Sequence, residues 1–174
     1  MRILIAVAAL AMLAACTQPR GAISTTSPFS PQERLALRFV GADVDVSGVK
    51  SSAAGRDVPQ DMLARILEEE AARSLHWTVG SRAGVVVVEM ERVDLLSAGQ
   101  AIMVGGASFM KGRTRMLDAA TGQPLTDWLP IEVYGGGYEL GGLLGAAMIQ
   151  ERELELRGLS RNFMEQVRRT YLGG

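Results

Sequence analysis

Few residues in this chain could carry chemistry, and each sits in a setting that narrows what it could do. The single cysteine, Cys16, offers a thiol open to covalent modification. It follows Arg2, an unbroken apolar run from Ile3 to Leu13, and the small pair Ala14 and Ala15. The single histidine, His76, stands beside Trp77 at the end of a helical pattern, where a helix dipole favours a cation. With no second imidazole and no other thiol, the chain has no zinc or haem spacing, so neither metal nor cofactor is expected. Asp43 with Asp45, and Glu89 with Glu91, could form general acid/base pairs. Two-residue spacing in a strand equally marks the wet side of a sheet. No serine lies in G-x-S-x-G or S-x-x-K, and no spacing pairs a particular serine with His76.

The glycines from Gly135 to Gly145 lack G-x-x-x-x-G-K-[ST] and a following βαβ unit, which argues against a phosphate loop. They read as a strand-to-helix connection that packs closely through missing side chains. Leu143, Leu144, Ala146, Ala147, Met148 and Ile149 then present apolar surface around most of a turn. That surface suits burial within the domain, or against a partner or lipid. Gly141, Gly142, Leu143, Leu144 and Met148 are the candidate contact residues.

The N-terminal segment has the charged, apolar and small-residue zones of a secretory signal. Its apolar stretch of 13 residues, Ile3 to Ala15, is short of the roughly 20 a spanning helix needs. The ending Leu13-Ala14-Ala15-Cys16 resembles the lipobox of bacterial lipoproteins. The resemblance implies cleavage between Ala15 and Cys16, a diacylglyceryl thioether on Cys16, and acylation of the new amino terminus. Several acyl chains together hold a protein on a bilayer durably, where one binds only marginally. Thr17 stands where an aspartate would retain many lipoproteins at the inner membrane, so the family pattern implies the outer membrane, facing the periplasm.

A formal net charge of −1 gives no electrostatic case for nucleic acid. Residues 1–15 therefore read as signal peptide, 16–32 as a lipidated start and Ser/Thr/Pro-rich tether, and 33–174 as one domain. In that domain Leu35, Leu37 and Phe39 alternate as a strand, with a one-residue slip at Val40-Gly41 that predicts a bulge. Asp57 with Gln60 resembles a capping box. Leu63, Ile66, Leu67, Ala71 and Leu75 form one helical face, and Glu68-Glu69-Glu70 reads as its solvated side. Val85 to Val88 reads as a central strand covered on both faces, and Met103 to Asp118 as a further strand made bendable by Gly105, Gly106 and Gly112. Asp118-Ala119-Ala120-Thr121-Gly122 makes a turn, Leu125 to Tyr134 returns along an edge because of Pro130, and Leu156, Leu159, Phe163, Val167 and Tyr171 face the core from a last helix. The fold class is α+β: two helices packed on one face of a mainly antiparallel four-stranded sheet, in the order β-α-β-β-β-α.

The hairpin from Arg113 to Gly122, with the glycine-rich passage behind a lipobox, resembles uncharacterised envelope lipoproteins of proteobacteria. It is more distantly similar to the curli-secretion lipoprotein and to transport-auxiliary lipoproteins. The expectation is a membrane-anchored, non-enzymatic binding or accessory module with an envelope protein partner. The alternatives are a transporter auxiliary holding an apolar ligand between sheet and helix, and a hydrolase with a divergent site. Replacing Cys16 with alanine should remove the acyl mass from the intact protein and release it from sedimenting membranes. An unmodified Cys16, or unchanged sedimentation of the variant, would contradict the anchor.

Overall fold

Alternating apolar residues in the strands and three-to-four spacing in the long helices build two layers. The computed structural model describes residues 27–52, 55–76, 79–103, 106–135 and 151–173. Their order is α1 (Pro31–Ala36), β1 (Leu37–Asp45), α2 (Gln60–Ser74), β2 (Arg82–Asp94), α3 (Ala98–Met103), β3 (Phe109–Asp118), β4 (Leu129–Tyr134) and α4 (Arg152–Leu172). The four strands lie in the order β1-β2-β3-β4. β1 runs parallel to β2, and the other two pairs are antiparallel. The expected α+β class, with its four-stranded sheet, is the observed one. α2 lies over β1, and α4 over β3 and β4.

The core sits between this helical layer and the sheet. Leu63, Ile66 and Leu67 of α2 meet Val86, Val88, Met110 and Met116 of the sheet, with Leu156, Phe163 and Val167 of α4, and all are sealed from water. Gly112 makes the approach of α4 close rather than the strand bendable: a Cβ there would come within 2.7 Å of the Glu89 carbonyl oxygen and 3.2 Å of the Phe163 ring. The register of β1 slips between Phe39 and Gly41, leaving Val40 as the extra residue of a bulge, as the Val40-Gly41 break predicts. A second slip, between Met90 and Arg92, follows from no pattern in the sequence.

Several sequence expectations need correction. Residues 31–36 form a short helix, so the strand starts at Leu37 rather than Leu35. Its capping box is formed by Ser30 and Glu33: Ser30 N donates to Glu33 at 2.8 Å and Glu33 N to Ser30 Oγ at 3.3 Å. The box expected at Asp57 and Gln60 does not form, because α2 begins at Gln60 behind Pro59 with no side-chain cap. Gln60 Nε2 instead reaches the carbonyl oxygens of Val46 and Ser47. Residues 98–103 are helical, so β3 starts at Phe109. The Val85–Val88 run is covered on one face only: Val86 and Val88 are buried, while Val85 and Val87 are half-buried on the other face.

The segment 27–32, assigned by composition to the tether, is packed on the body. Phe29 is 6% exposed, its ring centroid 6.2 Å from that of Tyr171, and Ser27 Oγ donates to the Tyr171 carbonyl oxygen at 2.8 Å. The Tyr171 hydroxyl lies 3.0 Å from Thr114 Oγ1, which also bonds the Val87 carbonyl at 2.9 Å. This one side chain thus joins the N-terminal segment, the last helix and two strands.

The glutamate run is the clearest departure. Glu68 is exposed, but Glu70 is only 1% exposed. Its carboxylate meets Arg73 at 2.7 Å, Arg157 at 3.4 Å and Arg161 at 3.6 Å. Glu69 bonds Arg157 and Arg65, which hold its carboxyl below the ordinary range. Arg65 and Arg157 also bond Glu153. What reads as a solvated stripe is the charged seam between α2 and α4.

Two stability tests follow. Glu70→Ala should cost about 2–4 kcal/mol, because three guanidiniums lose a buried counter-charge, and Glu70→Met combined with Arg157→Met should recover most of it. Urea unfolding measures both, and a double variant as weak as the single one would contradict the seam. Burial pushes the Tyr171 phenol up to about 12. An unfolded phenol titrates near 10, so the folded state keeps its proton longer and stability should fall as pH rises from about 10 to about 12. Tyr171→Phe should remove that alkaline loss while costing about 1 kcal/mol at neutral pH through the lost Thr114 contact.

Candidate partner-binding face

Among the described residues no helix lies over the second face of the sheet, and strand alternation places a defined set of side chains there. On β3, Gly112, Thr114 and Met116 point into the core, so Lys111, Arg113 and Arg115 point outward. Across β2, Val87 lies opposite Arg115 and Glu89 opposite Arg113. Glu89 and Arg113 form a forked pair with contacts of 2.9–3.1 Å. Lys111 lies 3.5 Å from Glu91.

Trp128, just ahead of β4, covers the middle of this ladder. The Arg113 and Arg115 guanidinium carbons lie 4.7 and 4.5 Å from its ring centroid, within the range of a cation–π contact. Arg115 Nε is covered and finds no hydrogen-bond partner among the described residues. Toward the other end, Phe109 and Tyr134 pack with ring centroids 6.0 Å apart, Arg92 lies 5.2 Å over Phe109, and the Tyr134 hydroxyl bonds Glu132. Val85, Val87, Leu117 and Trp128 are each half-buried. The face is therefore apolar in its floor, with aromatic and guanidinium groups above it.

Sequence reasoning gave Glu89 and Glu91 to the wet side of the sheet, and both are half-buried there, paired with β3 cations. It gave Trp128 no role. The spacing of Lys111, Arg113 and Arg115 was the available signal, since three cations two apart in a strand share one face. Asp43 and Asp45 are exposed on β1, and Asp45 is held below the ordinary carboxyl range by hydrogen bonding to Ser47. The Asp118 turn forms as expected. Asp118 Oδ1 accepts from Thr121 N at 3.1 Å and Ala120 N at 3.0 Å, which depress its carboxyl. Gly122 takes φ +70°, a value glycine adopts without strain.

His76 is exposed after the end of α2, at the rim of a groove of about 280 Å³ lined by Phe39, Gly41, Ala71 and Leu75. That volume falls just below the roughly 300–1,000 Å³ of sites that enclose a small molecule. A serine does sit beside a carboxylate, but far from His76. Ser108 Oγ bonds Glu155 in the first turn of α4 and accepts from Leu96 N at 2.7 Å. Glu155 also pairs with Arg56, whose Nε bonds the Leu96 carbonyl at 3.0 Å. These contacts fasten the start of α4 to the loop after β2. Among the described residues no three His, Cys, Asp or Glu side chains are placed to hold a metal ion. No helix among them is long and apolar enough to cross a membrane. Ala15, Cys16, Gly141, Gly142, Leu143, Leu144 and Met148 lie outside the described residues.

No protein-family model matches the sequence, and no curated protein matches it. The chain is similar to a Caulobacter crescentus CB15 protein provisionally described as a lipoprotein, with 16% identity, TM-score 0.34, and 70% of this chain and 85% of that chain covered. It is also similar to a Xanthomonas campestris protein of DUF330, with 9% identity, TM-score 0.36, and 76% and 85% covered. A third, uncharacterised protein gives 12% identity, TM-score 0.36, and 78% and 91% covered. Likeness of this degree carries no conclusion about activity or partner, and similarity to the curli-secretion lipoprotein is not shown by these three.

Proposed function

We propose that this chain is a lipid-anchored, non-enzymatic lipoprotein of the bacterial envelope. In this reading acyl chains on Cys16 hold it at the outer membrane, facing the periplasm. There it serves as an accessory module that binds another envelope protein through the uncovered face of its sheet. The observation that carries the binding role is Trp128 stacked on Arg113 and Arg115 above the half-buried Val85, Val87 and Leu117. Tryptophan, tyrosine and arginine are the residues that dominate binding energy at the centres of protein interfaces.

Several carboxylates support the non-enzymatic reading by being spent on structure. Glu70, Glu69 and Glu153 close the helix seam, Glu155 fastens α4, and Asp118 shapes a turn. A photo-crosslinking residue placed at Leu117 should give one discrete adduct in intact cells, and the same residue at exposed Asp57 should give none. Trp128→Ala should weaken the captured complex roughly 30-fold or more, the scale of a hot-spot truncation. Equal adducts from both positions, or full binding by Trp128→Ala, would remove the sheet face as the contact.

A further inference from the structure

α2 and α4 run parallel, which the order of their contacts shows: Arg65 meets Glu153, Glu69 meets Arg157, and Glu70 meets Arg161. Their C-terminal ends therefore share one end of the domain. That end carries Arg73 in the last turn of α2, Arg169 in the last turn of α4 and Arg168 just before it. Arg34 of α1 lies there too, its guanidinium against Gly173. The opposite end, where both helices begin, carries Asp57, Asp61, Glu151, Glu153 and Glu155, with Arg56, Arg65 and Arg152 among them. Each placement suits the helix dipoles.

At the basic end Arg73, Arg168 and Arg169 are exposed and Arg34 is half-buried. Arg34 and Arg168 make no ion pair with any described residue. Arg73 and Arg169 are each paired, but their side chains are 60% and 58% exposed. The acids nearby are engaged: Glu33 caps α1, Glu165 meets Arg169, and Asp118 closes its turn.

The connection to Cys16 leaves from this same end, because Ser27 bonds the Tyr171 carbonyl in the last turn of α4. Residues 17–26 separate Cys16 from Ser27. That stretch can span at most about 36–40 Å when fully extended. The 21 residues of α4 are about 31 Å long. The acidic end could therefore meet the bilayer only with the connection close to its limit, whereas the basic end meets it at any shorter span.

We infer that the basic end, formed by Arg34, Arg73, Arg168 and Arg169, rests on anionic phospholipid headgroups. The anchored domain then stands on its leaflet with the C-terminal ends of α2 and α4 toward the bilayer. Guanidinium groups bind phosphate oxygens through paired hydrogen bonds, and a leaflet offers a plane of them. The inference rests on the acylation of Cys16 proposed above.

The test uses the full-length acylated protein in vesicles of phosphatidylcholine, with or without phosphatidylglycerol. Acylation occupies Cys16, so Gln32→Cys beside the basic end and Ser51→Cys near the acidic end each supply one reactive thiol for a fluorophore. A nitroxide on lipid headgroups should quench the Gln32→Cys label and spare the Ser51→Cys label when phosphatidylglycerol is present. Raising the ionic strength to about 1 M, where the Debye length is near 3 Å, should erase that preference without releasing the protein. Combining Arg34→Gln, Arg168→Gln and Arg169→Gln should lower the membrane-apposed population about fivefold per residue. Equal quenching of both labels, or a preference indifferent to both salt and phosphatidylglycerol, overturns the orientation while leaving the anchor intact. Protein that lacks the acyl mass and stays in the supernatant overturns the anchoring reading and the orientation with it. The salt series needs no substitution at the arginines, so it decides the matter even if the triple variant misfolds.

Discussion

A carboxylate enclosed between two helices must be met by cations, and Glu70 draws them from both. Arg73 comes from its own helix, and Arg157 and Arg161 come from α4. An uncompensated charge at a site only 1% exposed would cost several kcal/mol, so α2 and α4 are fixed side by side, in parallel and in one axial register. The apolar faces beneath this seam then have a single way to settle on the sheet, with Phe163 over Gly112 and Leu63, Ile66 and Leu67 over the first two strands. Parallel helices also add their dipoles instead of cancelling them. Asp61, Glu153 and Glu155 in their first turns and Arg73 and Arg169 in their last turns follow that field.

With both long helices on one side, the sheet has a sealed face and a wet one. Tyr171 locks the sealed face by linking Thr114, the last helix and the segment before α1. The wet face is held differently. Among the described residues, its apolar floor is covered by Arg113, Arg115 and the Trp128 ring rather than by a second layer. Such cover is thin, since guanidinium groups keep their heads in water and part from a ring at little cost. It is a surface able to exchange solvent for a partner without unfolding anything.

Most of the architecture was legible because it rests on local rules. The three-to-four spacing of Leu156, Leu159, Phe163, Val167 and Tyr171 marks a buried stripe, and every one of these residues is buried. The broken alternation at Val40-Gly41, the Asp118 turn and the edge placement of Pro130 are likewise short-range signals that the structure reproduces. What escaped depends on residues far apart in sequence. Glu70 is buried by arginines some ninety positions downstream, so no window along the chain distinguishes it from Glu68. The run Val85–Val88 is apolar at every position, and a period of two cannot show which side lacks a cover. Ser30 and Glu33 did carry a capping pattern, but it lay in a stretch that composition alone assigned to a tether. The candidate face was half visible in the alternating cations of β3, while Trp128 joins it only through the hairpin return.

The two edges of the sheet are unequal, and attachment to a surface gives that inequality a meaning. β4 is six residues long and carries Pro130, which blunts it, whereas β1 runs nine residues with neither proline nor lysine. An open strand of that length invites pairing with a neighbour. In the proposed anchored state, copies standing the same way up on one leaflet would share a vertical axis and a height, so two β1 edges could meet only side by side, pointing in the same direction. In that geometry Asp43 would face Asp43 and Asp45 would face Asp45, and like charges set opposite each other repel. Confinement to two dimensions in the proposed anchored state would raise the encounter rate between copies while leaving them an encounter that their own carboxylates disfavour.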